Sequence, residues 1–318
     1  MNMSKSIYIF LLLVVNSFLF CKTHPDSNRH YSDNDPKKAY RLQLNPKSGS
    51  QYTYSITKET EFDVEMEGKE VDNKSRATMV VTYTIGKDSA GNVVLSMVYD
   101  KIHLYTKTGD KETDMDADIG EASGDPAERM LALLKGAGIQ AVVSPAGQVK
   151  AFKGIDEIRD KVLAKFDPSD TYGKSMAGKQ WDERIKDGLI KSNMEQLFSI
   201  FPDSNVHVGD RWKLSSTQKE GINLHSQSSF QLKEIVDGTA VVHSEGEIRS
   251  EGTGEMGGAT FTADLKGKQD GEFEMESETG MLLSSNINST IAGAMNIMGR
   301  NVPITITTST KMQGRKVN

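Results

Sequence analysis

The chain holds a single cysteine, Cys21, in 318 residues. That scarcity excludes a disulfide framework and any zinc or iron–sulfur site built on thiolates. Long apolar runs are equally rare. Only Ile7–Phe20 is predominantly apolar, which excludes a multi-span helical membrane protein. Positive charge is also in deficit: 38 basic residues face 44 acidic ones, for a net charge of −6. That balance argues against general nucleic-acid binding. What is present, 36% hydrophobic and 26% charged residues, still supports a folded core.

The N-terminus reads as an export signal. Lys5 provides a short positive region, Ile7–Val15 an apolar one, and Asn16 to Phe20 leads to Cys21. Directly afterwards the chain turns polar, Lys-Thr-His-Pro-Asp-Ser-Asn. The run is short for a membrane span and has the layout of a signal peptide. A cysteine at that point resembles a bacterial lipoprotein signal, which implies that Cys21 is lipidated and becomes the new N-terminus. Phe18 and Phe20 occupy the positions where Leu and a small residue are usual, so the resemblance is to the looser signals. Loss of residues 1–20 removes one lysine and no acid, leaving a net charge of −7.

Residues 21–39 are expected to be the lipidated cysteine and a flexible tether, since almost nothing there is apolar. From 40 to 124 the pattern has period two. Tyr52, Tyr54 and Ile56 alternate with polar residues, as do Phe62, Val64 and Met66, then Val81, Tyr83 and Ile85. This predicts a first antiparallel meander with one wet face. Residues 125–205 change character. Asp125-Pro126 can start a short helix that ends at Gly136, and Ile139–Val143 with Val149–Phe152 flanks the turn Ser144-Pro-Ala-Gly147 as a hairpin. Ile155, Ile158, Val162, Leu163 and Phe166 have helical spacing, and Trp181 to Phe201 predicts a longer helix stopping at Pro202. From 206 to 318 strands return, among them Phe261–Leu265 and Phe273–Met275, separated by glycine-rich turns.

Three landmarks recur in order: Gly49-x-x-Tyr52 with Gly209-x-x-Trp212, Gly91 with Gly238, and Gly147 with Gly280. They suggest an internal duplication with shorter loops in the second copy. The fold class is therefore α+β, mainly antiparallel β: two curved β-meander lobes with a helical middle section. Over residues 40–315 this layout resembles, as architecture, the LolA/LolB-like lipoprotein-carrier half-barrels and the uncharacterised β-rich bacterial lipoproteins of that plan. In the half-barrels a curved sheet has helices against its concave side. The resemblance implies a space for lipid between the layers and transfers no functional residue.

Each motif that could carry chemistry has a plainer reading. Gly173-Lys-Ser-Met-Ala-Gly178-Lys179 has phosphate-loop spacing, but Gln180 stands where Ser or Thr must reach magnesium and no strand precedes it. It reads as a loop. Ser175 in the same stretch lacks the strand of a nucleophile elbow. Asp114, Asp116 and Asp118 have calcium-loop spacing, but the glycine falls one place late, at Gly120, so a solvated acidic loop is the better reading. Met275, Met281, Met295, Met298 and Met312 stand without His or Cys beside them and read as core or cavity lining.

The sequence thus points to an exported, lipid-anchored, non-enzymatic cell-envelope protein with no cofactor or metal. Its expected partners are the membrane, through Cys21, and a hydrophobic ligand held between sheet and helices. The expected cavity lining is Met130, Leu134, Ile158, Val162, Leu197 and Phe201. The alternative is a surface adhesin or envelope-assembly protein with a tightly packed core.

Overall fold

Among the described residues, period-two patterning is realised as twelve strands in one sheet. The computed structural model describes residues 37–66, 69–119, 131–132, 134–164, 168–182, 190, 193–218, 224–256, 259–297 and 299–317. The first strands are β1 (Gln51–Met66), β2 (Lys69–Lys87), β3 (Val93–Thr108), β4 (Lys111–Asp116), β5 (Gly138–Val143) and β6 (Val149–Lys153). The later ones are β7 (Arg211–Gln218), β8 (Leu224–Val236), β9 (Thr239–Met256), β10 (Ala259–Glu276), β11 (Leu282–Ile297) and β12 (Arg300–Lys316). Their order is β6-β5-β3-β2-β1-β12-β11-β10-β9-β8-β7, with β4 beside β3. Neighbours pair antiparallel throughout, and the sheet is open, with β6 and β7 at its edges.

Alternation fixes which face is buried. Along β3, Val93, Leu95, Met97 and Tyr99 point to the core. Ile102 does so too, although it lies an odd number of residues further on. An extra residue at Asp100, where the register with β2 shifts, restores the face.

The two meanders join into a single sheet, because β1 pairs with β12 from Tyr52↔Lys316 to Val64↔Ile304. The duplicated landmarks sit at corresponding points. Gly49 and Gly209 have φ of 87° and 97°, and each donates its N–H to the second strand of its own half, at Ile85 O and Leu232 O. Gly91 and Gly238 lie in the next turns, with φ of 81° and 77°. Gly147 and Gly280 occupy later hairpin turns. Each is followed three residues on by an extra residue, Lys150 or Leu283, at a register shift. A Cβ on either glycine would stand 2.9 Å from the ring of Phe201. So β1-β2-β3-β5-β6 corresponds to β7-β8-β9-β10-β11. The N-terminal strap binds both halves: Leu44 N–H donates to Pro145 O (2.8 Å) and Asn45 N–H to Thr279 O (2.7 Å).

Glycines expected to mark turns instead lie inside long strands. Phe261–Leu265 and Phe273–Met275 belong to one strand, β10. On the core-facing side Gly246, Gly267 and Gly293 form a diagonal, level with Gln269, Gly267 and Leu265 of β10. A Cβ there would meet the neighbouring backbone: 2.9 Å from Gln227 O, 2.8 Å from Ile291 Cα and 3.0 Å from Leu265 Cα respectively. This is a crease, where missing side chains let the sheet bend sharply.

The middle section supplies α1 (Ile155–Leu163), α2 (Thr171–Gln180) and α3 (Asn193–Phe198). The phosphate-loop-like stretch, expected to be a loop, is most of α2. Its Ala, Met and Lys residues are good helix formers, and Gly173 and Gly178 each cost only about 1 kcal/mol. Gly178 also has a packing role, since a Cβ there would lie 3.2 Å from Arg159 Nη2 of α1. Of the helix expected from Trp181 to Phe201, residues 181–182, 190 and α3 are helical and 199–201 are not, while 183–189 and 191–192 lie outside the described residues. Among the described residues no helix is long and apolar enough to cross a membrane.

Candidate functional site

Alternation along β1 sends Tyr54, Ile56, Lys58, Thr60, Phe62 and Val64 to the core-facing side, all buried. Two of these six are polar. The next strands repeat the exception at the same level. Thr60 pairs with Thr308, Thr308 with Ser289, Ser289 with Gln269, Gln269 with Gly246, and Gly246 with Ser228. A polar band therefore crosses the inner face of β1, β12, β11, β10, β9 and β8. It separates two apolar clusters. One lies at the helical end and includes Ile56, Met79 and Met312; the other holds Phe62, Ile291 and Ile306.

The band is only partly satisfied. Thr308 Oγ1 donates to Thr60 Oγ1 (3.4 Å), and Gln269 Nε2 donates to Ser228 Oγ. Lys58 Nζ and the hydroxyls of Ser289, Thr310, Ser244 and Ser285 have no hydrogen-bond partner among the described residues. Lys58 is only 6% exposed. Its cross-strand neighbours are Ala77 and Thr310, neither of them acidic. Burial pushes its amine down to about 7. Each unsatisfied neutral group costs about 1–3 kcal/mol, and an uncompensated ammonium costs more. Several such groups thus lie together on one face of the sheet.

Tyr52, Tyr54, Tyr83 and Tyr99 are buried toward the helical end. Tyr52 OH donates to Glu276 Oε2 (3.1 Å), tying β1 to β10. Burial, then the Glu276 charge, push the Tyr52 phenol up to about 12. Burial also pushes Tyr54, Tyr83 and Tyr99 up.

The opposite face carries a cleft of about 810 Å³. Its lining follows two adjacent cross-strand rows, one with Lys213, Glu245 and Asp270, the other with Gln227, Glu247 and Lys268. Gly246, Gln269 and Ser289 of the band also border it, and the lining mixes charges and amides without an aromatic.

Of the residues expected to line a cavity, Leu134, Ile158, Val162 and Phe201 are buried in the apolar cluster at the helical end, and half-buried Leu197 packs against it. Met130 and Cys21 lie outside the described residues. Ser175 is exposed on α2. Asp114 pairs with His103 and Asp118 with Lys135, while Asp116 Oδ1 accepts the Asp118 N–H (2.9 Å). No three His, Cys, Asp or Glu side chains group as a metal site among the described residues. Met275, Met281, Met295 and Met312 are core residues; Met298 lies outside the described residues. Lys58 was overlooked by motif reasoning, although its signal is local: a lysine at a core position of a strict alternation.

Geometry thus defines an open, mainly antiparallel β protein with a short helical insert and a polar band on its inner face. The chain belongs to DUF6263, a family of unknown function, which matches residues 90–282, more than half its length. No curated protein matches it. It is similar in structure to lipovitellin, in a study of lipid–protein interactions, with 12% identity and a TM-score of 0.49 over 85% of this chain and 25% of that one. The chain spans about a quarter of that protein's length. An outer membrane channel from Pseudomonas putida F1 shares 6% identity at a TM-score of 0.23, over 92% of this chain and all of its own. The β domain of the Bordetella autotransporter BrkA shares 8% at 0.23, over 84% and 99%. These likenesses say nothing of ligand or activity here.

Proposed function

We propose that this chain is an exported, lipid-anchored, non-enzymatic protein of a bacterial cell envelope whose curled sheet binds an amphipathic ligand. The observation that carries the reading is the polar band. Buried groups without partners lie between two apolar clusters, so a ligand with a polar head and an apolar body would satisfy both. The export and anchor rest on the N-terminal pattern that ends at Cys21. Replacing Cys21 with serine should abolish incorporation of a radiolabelled fatty acid into the protein and move it out of the membrane fraction. Unchanged labelling would remove the anchor.

The ligand is tested by native mass spectrometry of residues 22–318, exported behind a cleavable signal and purified without detergent. Extra mass that organic extraction removes, identified as an acyl lipid, is the expected result. The open edges at β6 and β7 favour a second reading, an interaction protein that adds a partner's strand. A clean mass with no lipid uptake on titration would select it.

A further inference from the structure

We infer that Lys58, with Thr310 beside it, is the recognition point for the carboxylate of a long-chain fatty acid lying along the inner face of the sheet. This inference rests on the ligand reading above and names the head group. Lys58 is more than nine-tenths buried, and its amine has no hydrogen-bond partner among the described residues. Its neighbours on the same face are Ile56, Thr60, Ala77 and Thr310, so no acid sits in these adjoining positions to neutralise it. Thr310, directly across the ladder, carries a hydroxyl that is also unpartnered, as does Ser289. One ammonium with short hydroxyl donors suits a single carboxylate, through charge-assisted hydrogen bonds. It is a poor match for a phosphate dianion, whose recognition favours clustered cations or an arginine fork.

The surroundings set the rest of the ligand. Ile56 and Met312 lie on one side of the band and Phe62 and Ile306 on the other, so a chain leaving the carboxylate in either direction meets apolar side chains. Leucine or methionine at position 58 would continue the alternation of β1 without the burial cost.

The test compares oleate with oleyl alcohol on the chain from residue 22 onward, by displacement of the neutral fluorescent probe N-phenyl-1-naphthylamine. Wild type should bind oleate at least about tenfold more tightly than the alcohol. In Lys58→Met the alcohol should bind as before and the preference for the acid should vanish. Equal binding of acid and alcohol by wild type, or a preference that survives in Lys58→Met, overturns the role of Lys58 and leaves the ligand reading standing. Failure of both ligands to bind overturns the two together. Should Lys58→Met not fold, the wild-type comparison decides, with Thr310→Val expected to lower oleate affinity and spare the alcohol.

Discussion

Gly267→Val should destabilise the protein by at least about 3 kcal/mol or prevent its folding, while Gly86→Ala should be neutral or slightly stabilising. Both glycines lie within strands. At Gly267 a Cβ meets the backbone of β11 at Ile291 Cα, 2.8 Å away, and also the Thr290 carbonyl oxygen. Backbone held by two ladders cannot give way, so the sheet must flatten along the crease. At Gly86 the nearest atom is Val94 Cβ at 3.5 Å, an ordinary contact. There a methyl group only restricts the unfolded chain. Urea denaturation followed by the fluorescence of Trp181 and Trp212 reads both variants. Equal midpoints for the two would show that the crease does not depend on its glycines.

The second large effect concerns pH. Burial holds the Lys58 amine at about 7 in the folded protein, against an ordinary value of 10.5. Below pH 7 both folded and unfolded chains carry the proton, and the penalty for burying it is constant. Between about 7 and 10 the unfolded chain binds more protons, so stability of the ligand-free protein rises with pH. Above about 10 the buried tyrosines reverse the trend. Their phenols ionise when the chain unfolds and resist ionising in the fold, Tyr52 up to about 12. Lys58→Met should therefore be more stable than wild type at pH 6, by on the order of 3 kcal/mol, and should lose the rise toward pH 9. Denaturation midpoints at pH 6, 7.5 and 9 measure this. Parallel curves for the two proteins would mean that the amine is solvated.

What could be read in the sequence was local. Tyr52-x-Tyr54-x-Ile56 and Ile304-x-Ile306 declare strands through alternation, and Gly91, Gly147 and Gly238 declare turns through the positive φ each adopts. The joining of β1 to β12 has no local signature, because Tyr52 and Lys316 meet only through tertiary pairing. Gly267 misled for a related reason: a glycine that permits a crease and one that permits a turn look alike until the neighbouring strand is in place. The helix α2 escaped notice because it lacks a regular apolar stripe and contains Gly173 and Gly178; contact with α1 at Gly178 supplies support that its own pattern does not announce. Lys58 was legible, but only to a reading that looks for breaks in a pattern rather than for motifs.

The seam between the halves pairs the first described strand, β1, with the last, β12. During synthesis β1 emerges early, and its partner strand follows much later: Thr308 lies 248 residues after Thr60. Until then β1 presents an unprotected edge of sixteen residues. Closing the seam needs contacts of very high sequence separation, which slows folding. The interval favours capture of that edge by other chains, and a longer wait exposes β1 to more of them.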